Sequence, residues 1–153
     1  GPAFEALQHQ FGQASAMLRS AIESFTEEAW CSGVTPSTTP ARLAYHAVET
    51  VDFYAGDDAE GFPWGAVGGD WEADDAAPPR KDVVAAYLAR VEEKVRGFLE
   101  EGSAEDASAP DAAFPWFPNR VTRALYSLRH LQQSVGELNQ MLKQAGLRPA
   151  EWR

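Results

Sequence analysis

Val121, Leu125, Leu128, Leu131, Val135, Leu138 and Leu142 recur every three or four residues, a spacing that fits one face of an α-helix and no strand. A helix so marked must bury that face, and it cannot do so alone. Three other segments supply the complement. Phe4, Leu7, Phe11, Ala14, Leu18, Ala21 and Phe25 alternate the same spacings. Leu43, His46, Ala47, Thr50, Phe53 and Tyr54 share one arc of a second helix, from about Pro40 to Ala55. Val84, Tyr87, Leu88, Val91, Val95 and Phe98 mark a third, from about Lys81 to Glu101. The boundary residues agree. Thr26, followed by Glu27 and Glu28, predicts a short capped turn; Thr39 before Pro40 and Asn119 before the last helix are N-caps; Gly56, Gly102, Gly146 and Pro149 are stops, and Gly33, Pro36 and Pro40 punctuate the stretch between. Four amphipathic helices in 153 residues predict a single all-α domain, a four-helix bundle over residues 3–153, with Gly1 and Pro2 read as the remnant of a cleaved tag.

A chain of this length buries roughly 70% of its unfolded surface and holds a core without staples. Its single Cys31 allows no intrachain disulfide, which suits a cytoplasmic setting, and it reads as a buried or idle thiol, having no histidine beside it in sequence. A net charge of −10 argues against a nucleic-acid partner, and no apolar run is long enough to span a membrane. Seven acids fall between Asp57 and Asp75 without a single Lys or Arg. They read as a solvated connection, since the alternating ligand pattern of a calcium loop is missing. His9 lies off the first stripe and reads as a surface residue.

Residues 57–80 show no helical period but hold Phe62, Pro63, Trp64, Trp71, Pro78 and Pro79. A connection this long is uncommon in a compact domain unless it covers something. Two readings follow, a lid over one end of the bundle and an aromatic plug that completes the core. Its length also allows the second and third helices to run in the same direction. Residues 103–113 read as a mobile surface loop, and Phe114, Trp116 and Phe117 bring a second aromatic cluster to the start of the last helix.

Outside the apolar stripe of that helix stand His130 and Ser134, four residues apart and so side by side on one face. The run His130, Gln133, Ser134, Gly136, Glu137, Leu138 resembles the last helix of the DinB family of bacterial four-helix bundles, which reads His, three residues, a second His, one residue, Gly, then Gln or Glu and an apolar residue. Ser134 occupies the second His position. PARLAYHAVETVDFYAG resembles the family's second helix, with His46 at the place of the remaining ligand. The resemblance implies an up-down-down-up bundle with a long crossover between helices two and three. It also implies a divalent metal, zinc or nickel, held by His46 and His130, and for some members transfer of a low-molecular-weight thiol onto a small electrophile. Glu49, Gln133 and Ser134 are candidates for a third contact, and Thr50, Phe53, Trp64, Trp116 and Ser127 for the pocket lining. A serine hydroxyl is a weak substitute for imidazole.

Two readings of the residues themselves stay open. An inward histidine is often a hydrogen-bonded core residue, and Glu49, three residues after His46, can either ligate or orient it. His130 projects roughly 130° from the mean direction of the apolar stripe, at the margin of the core, while Ser127, Ser134 and Met141 fill the arc between. The alternative to a metal-dependent transferase is therefore a metal-free bundle that binds a small apolar or aromatic ligand, or a homodimeric scaffold in which Trp152 contacts a second subunit. The sequence holds no phosphate-binding glycine loop, no serine nucleophile elbow and no paired Glu-x-x-His motifs.

Overall fold

The computed structural model describes all residues except 34, 36, 37, 74–76, 103, 104 and 106, and among those described it holds five α-helices and no strand. They are α1 (Pro2–Ser24), α2 (Glu27–Trp30), α3 (Pro40–Tyr54), α4 (Lys81–Glu100) and α5 (Arg120–Gln144). Pro36, the acids Asp74 and Asp75, and part of the 103–113 stretch lie outside the described residues. No helix is long and apolar enough to cross a membrane among the residues described.

The expected caps form as drawn from sequence. Thr26, Thr39 and Asn119 accept from the backbone N–H groups of Ala29, Arg42 and Thr122, each satisfying one of the free donors at a helix start. Gly146 takes a left-handed φ of 72° after α5, a conformation that glycine adopts without strain, and Leu147 N–H returns to the Leu142 carbonyl. Pro2 opens α1 at its first turn, so residues read as a tag remnant take part in the helix.

The four longer helices pack around one core, α1 and α3 each lying against both α4 and α5. Polar contacts fix which ends meet. Lys81 at the start of α4 donates to the Phe25 carbonyl just beyond α1, while Gly102 past the end of α4 lies against the Phe4 ring. Arg123 at the start of α5 donates to the Gly56 carbonyl just beyond α3 at 2.7 Å, and Lys94 reaches Asp52 at 2.5 Å.

The stripes of α1 and α4 are buried as expected. Two helices differ from expectation. α3 is buried nearly all round, because the chain after Ala55 returns across its outer side; Tyr45 and Glu49, outside the expected arc, are 0% and 2% exposed. In α5 the stripe holds from Leu131 onward but slips before it: Leu125 is 52% exposed, while Arg123, Ala124 and Ser127 are buried. The reason is a buried ion pair. Arg123 Nε lies 2.9 Å from Asp111 Oδ2, both side chains 1% exposed, in a contact not aligned as a hydrogen bond. Its guanidinium also sits over the rings of Phe98 and Phe114. Polar groups satisfied in this way occupy the face that a hydrophobic template assigns to leucine. Asp111, assigned to a mobile loop, is therefore a core residue; its Oδ1 also accepts from Ala113 and Phe114 N–H.

Candidate functional site

His46 lies two turns into α3 and His130 midway along α5, and the packing of those helices brings the rings to a centroid distance of 5.2 Å, edge to face at 76°. Both are half-buried. Recentring the inward face of α5 on residues 123–142 actually buried leaves His130 about 90° from its middle rather than 130°, on the flank turned toward α3. The Nδ1 atom of each ring is buried without a hydrogen-bond partner, and Thr50 Oγ1, one turn along α3 from His46, is also unpartnered.

A tryptophan covers the pair. Trp71 stacks on the His46 ring at 3.9 Å with the planes 25° apart. Its backbone is tethered next door, where buried Arg42 donates to the Asp70 carbonyl. The connection lies flat on α3 because of two glycines: a Cβ on Gly68 would come within 2.8 Å of the Tyr45 ring, and Gly65 holds a φ of 80°. Gly65 N–H donates to Glu49 Oε2 at 2.8 Å, and the Tyr45 hydroxyl donates to the same oxygen at 2.5 Å. That carboxylate thus clasps the connection. Burial pushes its pKa upward, against the lowering effect of these two bonds.

Electrostatics leave both imidazoles neutral at pH 7. Burial, and then the proximity of His130, lowers the His46 pKa to about 4. Burial also lowers that of His130, with Glu137 acting in the opposite sense. A neutral imidazole offers one donor and one acceptor, so the pair presents mixed hydrogen-bonding capacity instead of positive charge.

The remaining sequence-derived site residues divide. Ser134 is buried beside His130, but its hydroxyl donates back to the His130 carbonyl at 3.1 Å. Gln133 is exposed and donates to Glu137. Thr50 stays with the pair. Ser127 lines a narrow gap with Phe11, Val51 and Phe98 that has no room for water. Phe53 belongs to a separate aromatic cluster with Phe114 and Phe117, and the half-exposed Trp64 and Trp116 pack there, on Phe53 and Phe114. The connection places Trp71 on the His46 ring and Phe62 against Phe53. Sequence named Trp71 in the connection without assigning it to the pocket, because nothing in a non-periodic segment ranks one tryptophan above another. The Tyr45–Glu49 bond did have a signal in its i, i+4 spacing. Elsewhere, His9 is exposed as expected, and Cys31, read as buried or idle, is exposed, which leaves the second of those alternatives.

Tested against a metal, the described residues offer two imidazoles where the resemblance implies three. Ser134, Glu49 and Gln133 all have other partners, and no group of three or more His, Cys, Asp or Glu is gathered to hold an ion among the described residues. Two neutral imidazole nitrogens remain as available donors. No protein-family model matches the chain, and no curated protein matches it significantly.

Proposed function

We propose that this protein is a DinB-like bundle, with helices in up-down-down-up order and residues 57–80 as the long crossover, that binds a small aromatic molecule at the His46–His130 pair without a resident metal. The meeting of helix ends described above supports the order. The observation that carries the function is three unpartnered buried polar atoms, on His46, His130 and Thr50, on the facing helices that meet beneath one stacked tryptophan. Buried polar groups are otherwise satisfied nine times in ten, so three such atoms on facing helices support a site completed by something outside the chain. The chemistry selects an uncharged ligand: a flat apolar body to replace Trp71 on the His46 ring, and a hydroxyl or amide to bond the imidazoles. The test is a thermal-shift series with phenols and aromatic amides. A ligand at about 100 times its Kd should add roughly 2.7 kcal/mol of stability, and His130→Phe should abolish the shift. No shift from any compound in the unaltered protein refutes the reading.

One observation favours a second reading. Both imidazoles are neutral at pH 7, with lone pairs free of competing protons. That is the state in which His46 and His130 would hold a zinc or nickel ion, leaving other positions to water. Bound there, such an ion would supply the lowered thiol pKa needed for transfer of a low-molecular-weight thiol to an electrophile. Elemental analysis of untagged protein separates the readings: a content below about 0.2 ion per chain, unchanged after adding zinc or nickel, removes this one.

A further inference from the structure

On the side of the bundle away from α3 and α4, α1 and α5 leave a groove of about 710 Å³ between them, floored by Met17 and Leu128 and bordered by Leu125, Tyr126 and Trp152. We infer that a second copy of this chain packs on this face and that Trp152 of each copy fills the groove of the other. The inference rests on observations separate from the histidine pair.

Charge selects the partner. The chain carries 23 acids against 13 bases, so two copies repel one another over most of their surface. The groove is the exception. No acidic side chain lines it among the described residues, and its charged members are Arg129 and Arg153. The groove-lining residues of two copies can therefore meet without bringing carboxylates together.

Exposure and shape agree. Trp152 is 78% exposed, Leu125 52% and Tyr126 37%, a concentration of large apolar side chains along one face. The chain leading to Trp152 is held in place. Asn139 clips Ala150 through two hydrogen bonds, at 2.8 Å from the Ala150 N–H and 3.3 Å to its carbonyl, and Ala150 is buried. The indole stands two residues beyond that clip and lines a hollow it does not fill. A knob and a hole on one surface are satisfied together by a two-fold axis, which closes the assembly at two copies. The face is large enough: helices of 23 and 25 residues are about 35 Å long, and two side by side give roughly 700 Å², close to the ~800 Å² per partner of a standard interface.

The test is light-scattering mass across a concentration series. The unaltered protein should run at twice 16.7 kDa at tens of micromolar. Trp152→Ala should raise the dimer Kd about 30-fold or more, as loss of a central aromatic anchor does. Leu125→Glu, which places a carboxylate on the acid-free face, should leave monomers. Both positions are exposed, so circular dichroism should show the helical content unchanged. Arg90→Glu, at an exposed position of α4, serves as a control and should leave the dimer intact. A monomer at 100 µM (about the upper end of the series), an unchanged dimer Kd for Trp152→Ala, or a dimer that survives Leu125→Glu overturns the inference.

Discussion

Replacing His46 by phenylalanine keeps a flat ring against Trp71 while removing a titrating group, and its effect on acid stability can be worked from the structure. In the unfolded chain the imidazole takes up a proton near pH 6.5; in the folded protein burial holds it back until about 4. Between those values the unfolded state binds a proton that the folded state refuses, so stability falls as pH drops from 6.5 to 4 and is level below. Full linkage would cost about 3 kcal/mol. The ring is only half-buried, and solvent screening reduces this to roughly 1–2 kcal/mol. Glu49 acts with the opposite sign: its raised pKa makes the folded state the better proton acceptor, so acidification favours folding there. His130, lowered like His46, acts in the same sense as His46. Only the difference between variant and parent isolates the one imidazole. Urea unfolding at pH 7 and pH 4.5 should show His46→Phe losing roughly 1–2 kcal/mol less than the parent, or about 2–8 °C in Tm for a domain of this size. Equal losses, or an NMR midpoint for His46 near 6.5 in the parent, would show that the ring is solvated and the site open.

Other substitutions probe the surroundings. Trp71→Ala should let water reach His46 and move its NMR midpoint upward from about 4 toward 6.5; an unmoved value would mean that the helices alone enclose the ring. Asp111→Ala should strand the Arg123 guanidinium in the core and cost about 3 kcal/mol in urea unfolding, the low end for a broken buried pair because the Gly56 carbonyl and two aromatic rings still hold it. Asp57→Ala, at a side chain 75% exposed and 3.6 Å from Arg123, should stay within about 0.5 kcal/mol, and similar losses in the two variants would contradict the assignment. Ser134→His adds a third imidazole one turn from His130 and should tighten zinc binding by calorimetry; unchanged binding would place position 134 off the site.

Helix number, extent and capping were legible in the sequence to within a residue or two, because each signal is local. Thr39 and Pro40, or Asn119 and Thr122, need no tertiary contact to state where a helix begins. The burial of α3 was not legible, since it depends on a connection whose path over Tyr45 is set by Gly65 and Gly68 through close approach, a relation between distant residues that no periodicity records. For the same reason Glu49 read as a possible ligand: one turn from His46 it was available in principle, but its carboxylate is committed to a backbone amide sixteen residues away.

The error in α5 has a different origin and bears on function. A hydrophobic template follows leucine and valine and was right wherever the helix faces only apolar neighbours, from Leu131 to Leu142. It drifted off where the buried row reads Arg123, Ser127, His130 and Ser134, which is the row turned toward α3. Polar residues persist along an inward-facing line only if something satisfies them. Asp111 and Gly56 do so for Arg123, and the helix's own carbonyl does so for Ser134. Along that row two buried nitrogens lack a hydrogen bond: the Arg123 Nε, which keeps its ion pair with Asp111, and the His130 Nδ1, which has no such pair and is matched across the interface by the His46 Nδ1. The stretch where the pattern fails and the pair of atoms left without partners therefore point to one place, the α3–α5 seam beneath Trp71.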